Sequence, residues 1–486
     1  MQAQYKVGWC YDTGTGVDAN EPVAATWYER AAAKGLLDAQ AALGHMFFNG
    51  RGVNQDYATA VNWSGKAALQ GDVPSQYLLG SLYEQGLGIP QNFAEAARLF
   101  KSAADKGHPQ AEYHLGLCYE HGHGLTQDYS QAARWYQLAA NQEVVEAHFR
   151  LGYCFEKGHG TRRDLSQAIK HYTYAADRDI VDAAERMGFC YDLGGFGIYQ
   201  DRGEAAKWFR LAGEKGLTAS QARLGEYYDQ GLGVPQDHAE AARWFELAGK
   251  GGVASAQVRL AQYCENGWGV DQSFSEAAKW WRLAAQNGVV EAQTRIAQYF
   301  DKGQGVAQDY AEAAKWFQLA GDQGVVLAQA RLGHYFDQGL GVAQDYAEAA
   351  RWLRRAAEQG VVQCQARLGQ LYRDGSGVAA DQTEAAKWFT LAAMEANLIS
   401  MVDLAQCFER GQGVEANLIE AYKWYSLATA LGNPQAREGR DATLRLLKPS
   451  ETTEGQRRAT SLFQSLRQKA IADRESAREL AGCIRP

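Results

Sequence analysis

Glu291-Ala-Gln-Thr-Arg-Ile-Ala-Gln-Tyr-Phe-Asp-Lys-Gly303 and the nearby Asp309-Tyr-Ala-Glu312 decide the fold. In the first stretch Ala292, Ile296, Ala297 and Phe300 recur at helical spacing and form one apolar stripe. Gly303 and Gly305 then break the helix, because glycine accepts the left-handed backbone of a helix end. Asp309 and Glu312 have the spacing of a capping box, in which each side chain satisfies one free amide of a new helix. That second helix turns Ala313, Trp316, Phe317 and Ala320 toward the first. Neither helix alone can bury its stripe, so the pair is a unit that must stack on copies of itself.

The copies are present. From Gly8 a step of about thirty-six residues meets Gly44, Gly80, Gly116, Gly152 and Gly188, each followed three residues later by Tyr or Phe. After a one-residue insertion at Gly194-Gly195-Phe196-Gly197 the series resumes at Gly225, Ala261, Ala297, Gly333, Gly369 and Ala405. A Gly-x-Gly pair keeps the same period, as at Gly50/Gly52, Gly231/Gly233 and Gly411/Gly413. So does a tryptophan, from Trp27 and Trp63 to Trp388 and Trp424, with Leu99 and His171 at the two other rungs. Twelve helix pairs over residues 1–436 follow. Residues 437–486 leave the period. There Leu444, Leu446 and Leu447 suggest one helix and residues 455–481 another, as a helical cap or, after about Leu466, a tail.

The pattern Ala-x-x-x-Leu-Gly-x-x-Tyr-x-x-Gly-x-Gly-Val, then Asp-x-x-x-Ala-x-x-Trp-Phe-x-x-Ala-Ala-x-x-Gly, resembles the Sel1-like repeat, a relative of the tetratricopeptide repeat. Residues 319–359 carry it almost unbroken, and the resemblance covers about residues 3–435. It implies an all-α, right-handed superhelical solenoid and a non-enzymatic adaptor that binds a protein or peptide along its concave groove. Some relatives neutralise toxins as immunity proteins, and some cysteine-rich ones have been described as β-lactam-hydrolysing. Against an enzyme, the chain has no Ser-x-x-Lys motif, nucleophile elbow or metalloprotease helix. The Gly-x-Gly pairs follow helices rather than strands, so they read as turns and not as a nucleotide fingerprint. No catalytic residue and no cofactor is expected.

Net charge is −8, with bases and acids interspersed, which argues against a nucleic-acid partner. No stretch of eighteen apolar residues predicts membrane insertion. The eight cysteines include Cys10, Cys118, Cys154, Cys190 and Cys407, each two residues after the Gly or Ala rung of a different repeat. Equivalent positions on stacked helices lie roughly 8–10 Å apart, beyond the reach of a disulfide. Free thiols point to the cytoplasm. His114, Cys118 and His121 share one helix face and, with Cys154 next door, are the only candidate metal ligands, although they lack an established ligand spacing.

One more ladder bears on function. Arg150, Arg186, Arg223, Arg259, Arg295, Arg331 and Arg367 stand two residues before the Gly or Ala rung of seven successive repeats. Tyr227, Tyr263, Tyr299 and Tyr335 follow one helical turn later. Together they predict a groove of guanidinium forks and phenols suited to an acidic or carbonyl-rich segment. An acidic ladder (Glu120, Glu156, Asp192, Asp229, Glu265, Asp301, Asp337) allows a different reading, in which each arginine pairs with a neighbouring repeat.

Overall fold

The computed structural model describes residues 1–483, with the side chains of residue 470 and of residues 473–483 outside that description. Twenty-six helices run in antiparallel pairs, and among the described residues the only β feature is an isolated bridge, Gly195 to Ile198, in the one-residue insertion. Helix contacts link each helix chiefly to the next one or two in sequence, which is the solenoid arrangement. The chain divides into two compact units, residues 1–248 and residue 249 onward, and each is built from the same repeat.

The ninth repeat shows the construction. Its first helix, Val290–Lys302, buries Ala292, Ile296 and Ala297 completely, with Phe300 beside them. Gly303, at φ 66°, ends it and returns its N–H to the Tyr299 carbonyl. Asp309 caps the second helix, Tyr310–Asp322, by accepting from the amides of Ala311 (2.9 Å) and Glu312 (3.0 Å). The reciprocal half of the capping box does not form. The Asp309 amide already donates to the Phe300 carbonyl at 3.0 Å, so Glu312 turns to Lys315 instead.

The Gly-x-Gly pair has two jobs, and only the first was evident from its turn character. Gly303 ends a helix, whereas Gly305 lets the loop press on the preceding repeat. A Cβ on Gly305 would lie 2.3 Å from the carbonyl of Phe274, the first residue of the previous repeat's second helix. The glycine rung on the first helix serves close packing within a repeat. At Gly116 a Cβ would stand 2.5 Å from the Tyr136 ring, so the aromatic occupies the space that the missing side chain leaves. Full burial of such an aromatic contributes about 1.5–3 kcal/mol, repeated along the array.

Two further helices, Gln435–Leu446 and Pro449–Cys483, pack on the second helix of the twelfth repeat, Leu418–Ala430. Gly439 lies against the Tyr425 ring and Gly455 against Tyr422. Cys118, Cys154, Cys190, Cys364 and Cys407 are buried free thiols, and Cys10 is a half-buried one. The thiol of Cys483 lies outside the described residues. Among the described residues no helix is long and apolar enough to cross a membrane.

Candidate functional site: the arginine ladder and its clefts

Six of the seven ladder arginines reach the acid of the repeat before them, about thirty residues back in sequence. Arg186 grips Glu156 with two bonds, Nε to Oε2 at 2.9 Å and Nη2 to Oε1 at 2.6 Å. Arg367 does the same to Asp337, with contacts of 2.6 and 3.0 Å. Arg150 reaches Glu120 at 3.4 Å and Arg223 reaches Asp192, while Arg331 to Asp301 (3.7 Å) and Arg295 to Glu265 (3.9 Å) are looser. Arg259 meets Gln262 Oε1 at 3.4 Å. Six of the seven rungs thus show the pairing of the two ladders, which leaves part of each guanidinium exposed.

The ladder also extends by a step at each end. His114 occupies the arginine position of the fourth repeat and meets Glu84 of the third at 3.1 Å. At the other end the charges are exchanged: Arg373 stands where an acid is expected, Asp403 where an arginine is, and they meet at 2.7 Å. Reversal with retention of contact shows that a pair of opposite charges, and not a guanidinium in one fixed place, is what these two positions hold.

Several of these acids also take a hydroxyl or indole donor, and the donor comes from either side; Asp337, facing Leu353 and Leu371, has none among the described residues. Glu156 accepts from Tyr172 of its own repeat at 2.8 Å, and the facing residue of the next repeat is Cys190. Asp301 has Phe317 in its own repeat and accepts instead from Tyr335 of the next, at 2.6 Å. Tyr136 with Cys154 follows the first arrangement, and Phe209 with Tyr227 the second. Glu265 takes both Trp281 Nε1 (2.9 Å) and Tyr299 (2.6 Å). In the first arrangement a phenol on the second helix faces a small thiol. In the second the phenol sits on the next repeat's first helix and faces a phenylalanine, so the hydrogen bond to the acid is kept from either side.

This placement corrects the expected groove. Tyr227, Tyr263, Tyr299 and Tyr335 are at most 3% exposed, so their rings do not line an open surface. One turn beyond the arginine, the first helix faces the preceding repeat's second helix rather than solvent. Burial, then the bond to Asp192, raises the Tyr227 phenol. Burial works to raise the Asp192 carboxyl, but hydrogen bonds from Tyr227 and Arg223 outweigh it and hold that carboxyl below the usual range. The arginines, in contrast, keep 22–48% of their side chains exposed while paired.

The metal candidates are likewise apart in role. His114 is taken up by Glu84 and by rings of Tyr77 and Phe100, and His121 lies beside His123. Burial pushes the Cys118 thiol up to about 12. Among the described residues no group of three or more His, Cys, Asp or Glu is placed to hold a metal ion.

Clefts open along the same ladder. In the first unit a cleft of about 510 Å³ sits beside the insertion, where Lys157, Arg163, Arg186, Arg202 and Arg223 surround only Glu156 and Asp192. Leu193 and Phe196, both more than half exposed, lie at this insertion. In the second unit a cleft of about 470 Å³ has Arg331 and Arg367 beside an apolar floor that includes Leu353 and Val361. Lys157, Arg163 and Arg202 were not singled out from the sequence. The one-residue insertion was the available signal, since a break in register is where side chains stop repeating the same contacts.

A stacked array of helix pairs, stitched by paired charges and open along one row of cations, is a repeat solenoid of the binding class. The chain belongs to the Sel1 repeat family: the Sel1 repeat model matches twelve successive segments from 2–36 through 181–217 to 398–433. Sel1 repeat proteins are generally protein-interaction scaffolds and not enzymes. A protective antigen of uropathogenic Escherichia coli with an SLR fold is 30% identical over 93% of this chain and 97% of its own, with a TM-score of 0.58. A Sel1 repeat protein from Oxalobacter formigenes is also 30% identical, over 64% of this chain and 90% of its own, with a TM-score of 0.49. No curated protein matches the chain.

Proposed function

We propose that this chain is an interaction scaffold that takes an acidic segment of a partner protein on the face of its first helices, where the ladder arginines emerge. The cationic cleft beside the insertion carries the reading: five basic side chains there answer Glu156 and Asp192, with Glu226 as a further partner of Arg223, so positive charge is left over for a ligand. Arg186 is held in place by Glu156, and Arg223 by Asp192 and Glu226 together. Lys157 and Arg202, 41% and 44% exposed, are the more available cations. The second-unit cleft adds an apolar floor between Arg331 and Arg367, suited to a segment that alternates acidic and aliphatic side chains.

A fluorescent oligoglutamate peptide of about fifteen residues, long enough to follow several rungs, is the probe. It should bind saturably at low ionic strength and weaken steeply with salt. The Lys157→Gln/Arg202→Gln variant should bind about tenfold more weakly with unchanged helix content, because both side chains are exposed and glutamine keeps good helix propensity. Equal binding by variant and parent would sink the proposal for this cleft. Arg295→Gln/Arg331→Gln separates the roles in the second unit: lost thermal stability with unchanged affinity would make those rungs structural alone.

A further inference from the structure

The second helices carry a repeating solvent-facing stripe that the proposed function does not use. In the eighth repeat it is Glu276, Lys279, Trp280 and Leu283 on Phe274–Gln286, and in the ninth Glu312, Lys315, Trp316 and Leu319 on Tyr310–Asp322. Leu283 is 41% exposed and Leu319 is 48% exposed. The same stripe in the twelfth repeat is Glu420, Lys423, Trp424 and Leu427, and it is covered. Leu427 is 1% exposed. Lys423 falls to 14% against 68% and 69% for Lys279 and Lys315.

The cover is the terminal helix, Pro449–Cys483. It approaches through Gly455, whose absent side chain leaves room for Tyr422 and the Ile419 carbonyl. Arg458 then bonds Glu420 at 2.6 Å, although Glu420 already holds Lys423. Leu462, Phe463 and Leu466 pack on the cluster that contains Leu427, and Lys469 reaches Glu395 at the end of the eleventh repeat. One stripe of this chain therefore demonstrates its own ligand: a helix with a small residue, an arginine three positions later, and apolar residues four, five and eight positions after that arginine.

We propose that the adjacent stripes of repeats eight and nine are a docking site for a basic amphipathic helix of a partner protein, with the chemistry that the terminal helix presents to repeat twelve. Glu276 and Glu312 each hold one lysine, as Glu420 holds Lys423, and each has the geometry to add an arginine. A helix is about 10–12 Å across with its side chains, so a single one laid along the seam between the two stripes can engage both. Within the second unit the row is interrupted at the tenth repeat, where Arg355 replaces the leucine, folds over Trp352 and pairs with Asp322, and it resumes at Leu391 of the eleventh. Repeats eight and nine are therefore the adjacent pair of exposed stripes within the second unit, that of the eleventh repeat standing between Arg355 and the covered twelfth.

The probe is a fluorescent peptide of residues 449–472 of this chain, titrated against the full-length protein. Saturable binding is expected. It should weaken at least tenfold with the Leu283→Glu/Leu319→Glu variant, whose replaced side chains are half exposed, and with Arg458→Glu in the peptide alone. Circular dichroism on the variant checks that helix content is kept. No saturable binding, or equal binding by the variant, overturns the proposal. So does binding that Leu427→Glu abolishes while Leu283→Glu/Leu319→Glu does not, since the peptide would then only replace the chain's own helix. Self-association of the full chain that the double variant abolishes would make the occupant a second copy, and would also overturn it.

Discussion

Exchanging the charges of Arg367 and Asp337 tests the meaning of the ladder most directly. Asp337 is 4% exposed, and its carboxylate takes three bonds from Arg367. Breaking a buried ion pair from one side typically costs about 3–5 kcal/mol. The Arg367 side chain is 35% exposed, so screening lowers the figure to about 2–3 kcal/mol for either Arg367→Asp or Asp337→Arg. Arg373 and Asp403 already form the reversed pair one repeat on, so the backbone there tolerates the exchange. The double variant should therefore be more stable than the sum of the two single losses predicts, with a coupling of about 2 kcal/mol. Recovery should be incomplete, because Arg373 has a second acid in Asp374 at 2.8 Å whereas position 337 is followed by Gln338. Urea unfolding followed by far-ultraviolet circular dichroism measures the three variants. Since solenoids can unfold piecewise, hydrogen exchange of the amides in Val326–Gln338 and Val362–Asp374 localises the effect. A double variant no better than additive would refute the claim that opposite charge, and not arginine itself, is what this position requires.

Two further perturbations probe the packing. Gly116→Ala should destabilise by about 1–3 kcal/mol through overpacking on Tyr136, despite alanine's better helix propensity. Gly305→Ala should cost more, since backbone of the preceding repeat stands in the way and φ is 68°; a neutral Gly305→Ala by thermal melting would contradict the packing argument. A pH-dependent test concerns His171, which lies 3.0 Å from His148, Nδ1 to Nδ1. Burial, followed by His148 and Lys170, lowers its pKa to about 4. The unfolded chain binds that proton near pH 6.5, so stability is complete above about 6.5 and falls as the pH drops toward 4. After discounting for partial exposure the loss is about 1–2 kcal/mol. His171→Trp, which restores the residue of the other rungs, should flatten the dependence of the urea midpoint between pH 7 and pH 5 relative to the parent.

Much of this molecule is local and therefore legible in one dimension. Within the twelve repeats the period of Gly116, Trp135 and Asp128-type caps assigns the helices, the loops and the face each helix turns to its partner, because those contacts join residues less than thirty positions apart. The helix starting near Pro449 was visible from its turn residues, but not that it would fold back over Glu420 and Leu427. What one repeat does to the next was hidden for the same reason. Tyr335 and Arg331 share a helix face by spacing, and only the stacking of Val326–Gln338 on the ninth repeat buries the phenol against Asp301 while leaving the guanidinium half in solvent. The exchange of Tyr172 and Cys190 for Phe209 and Tyr227 is written plainly in the ladders, yet it has meaning only once a carboxylate is seen between the paired positions. A repeat length determines which residues recur; the angle at which one pair settles on the next determines which of them meet, and that angle is set by side-chain packing across the seam, where sequence separation carries no information about distance.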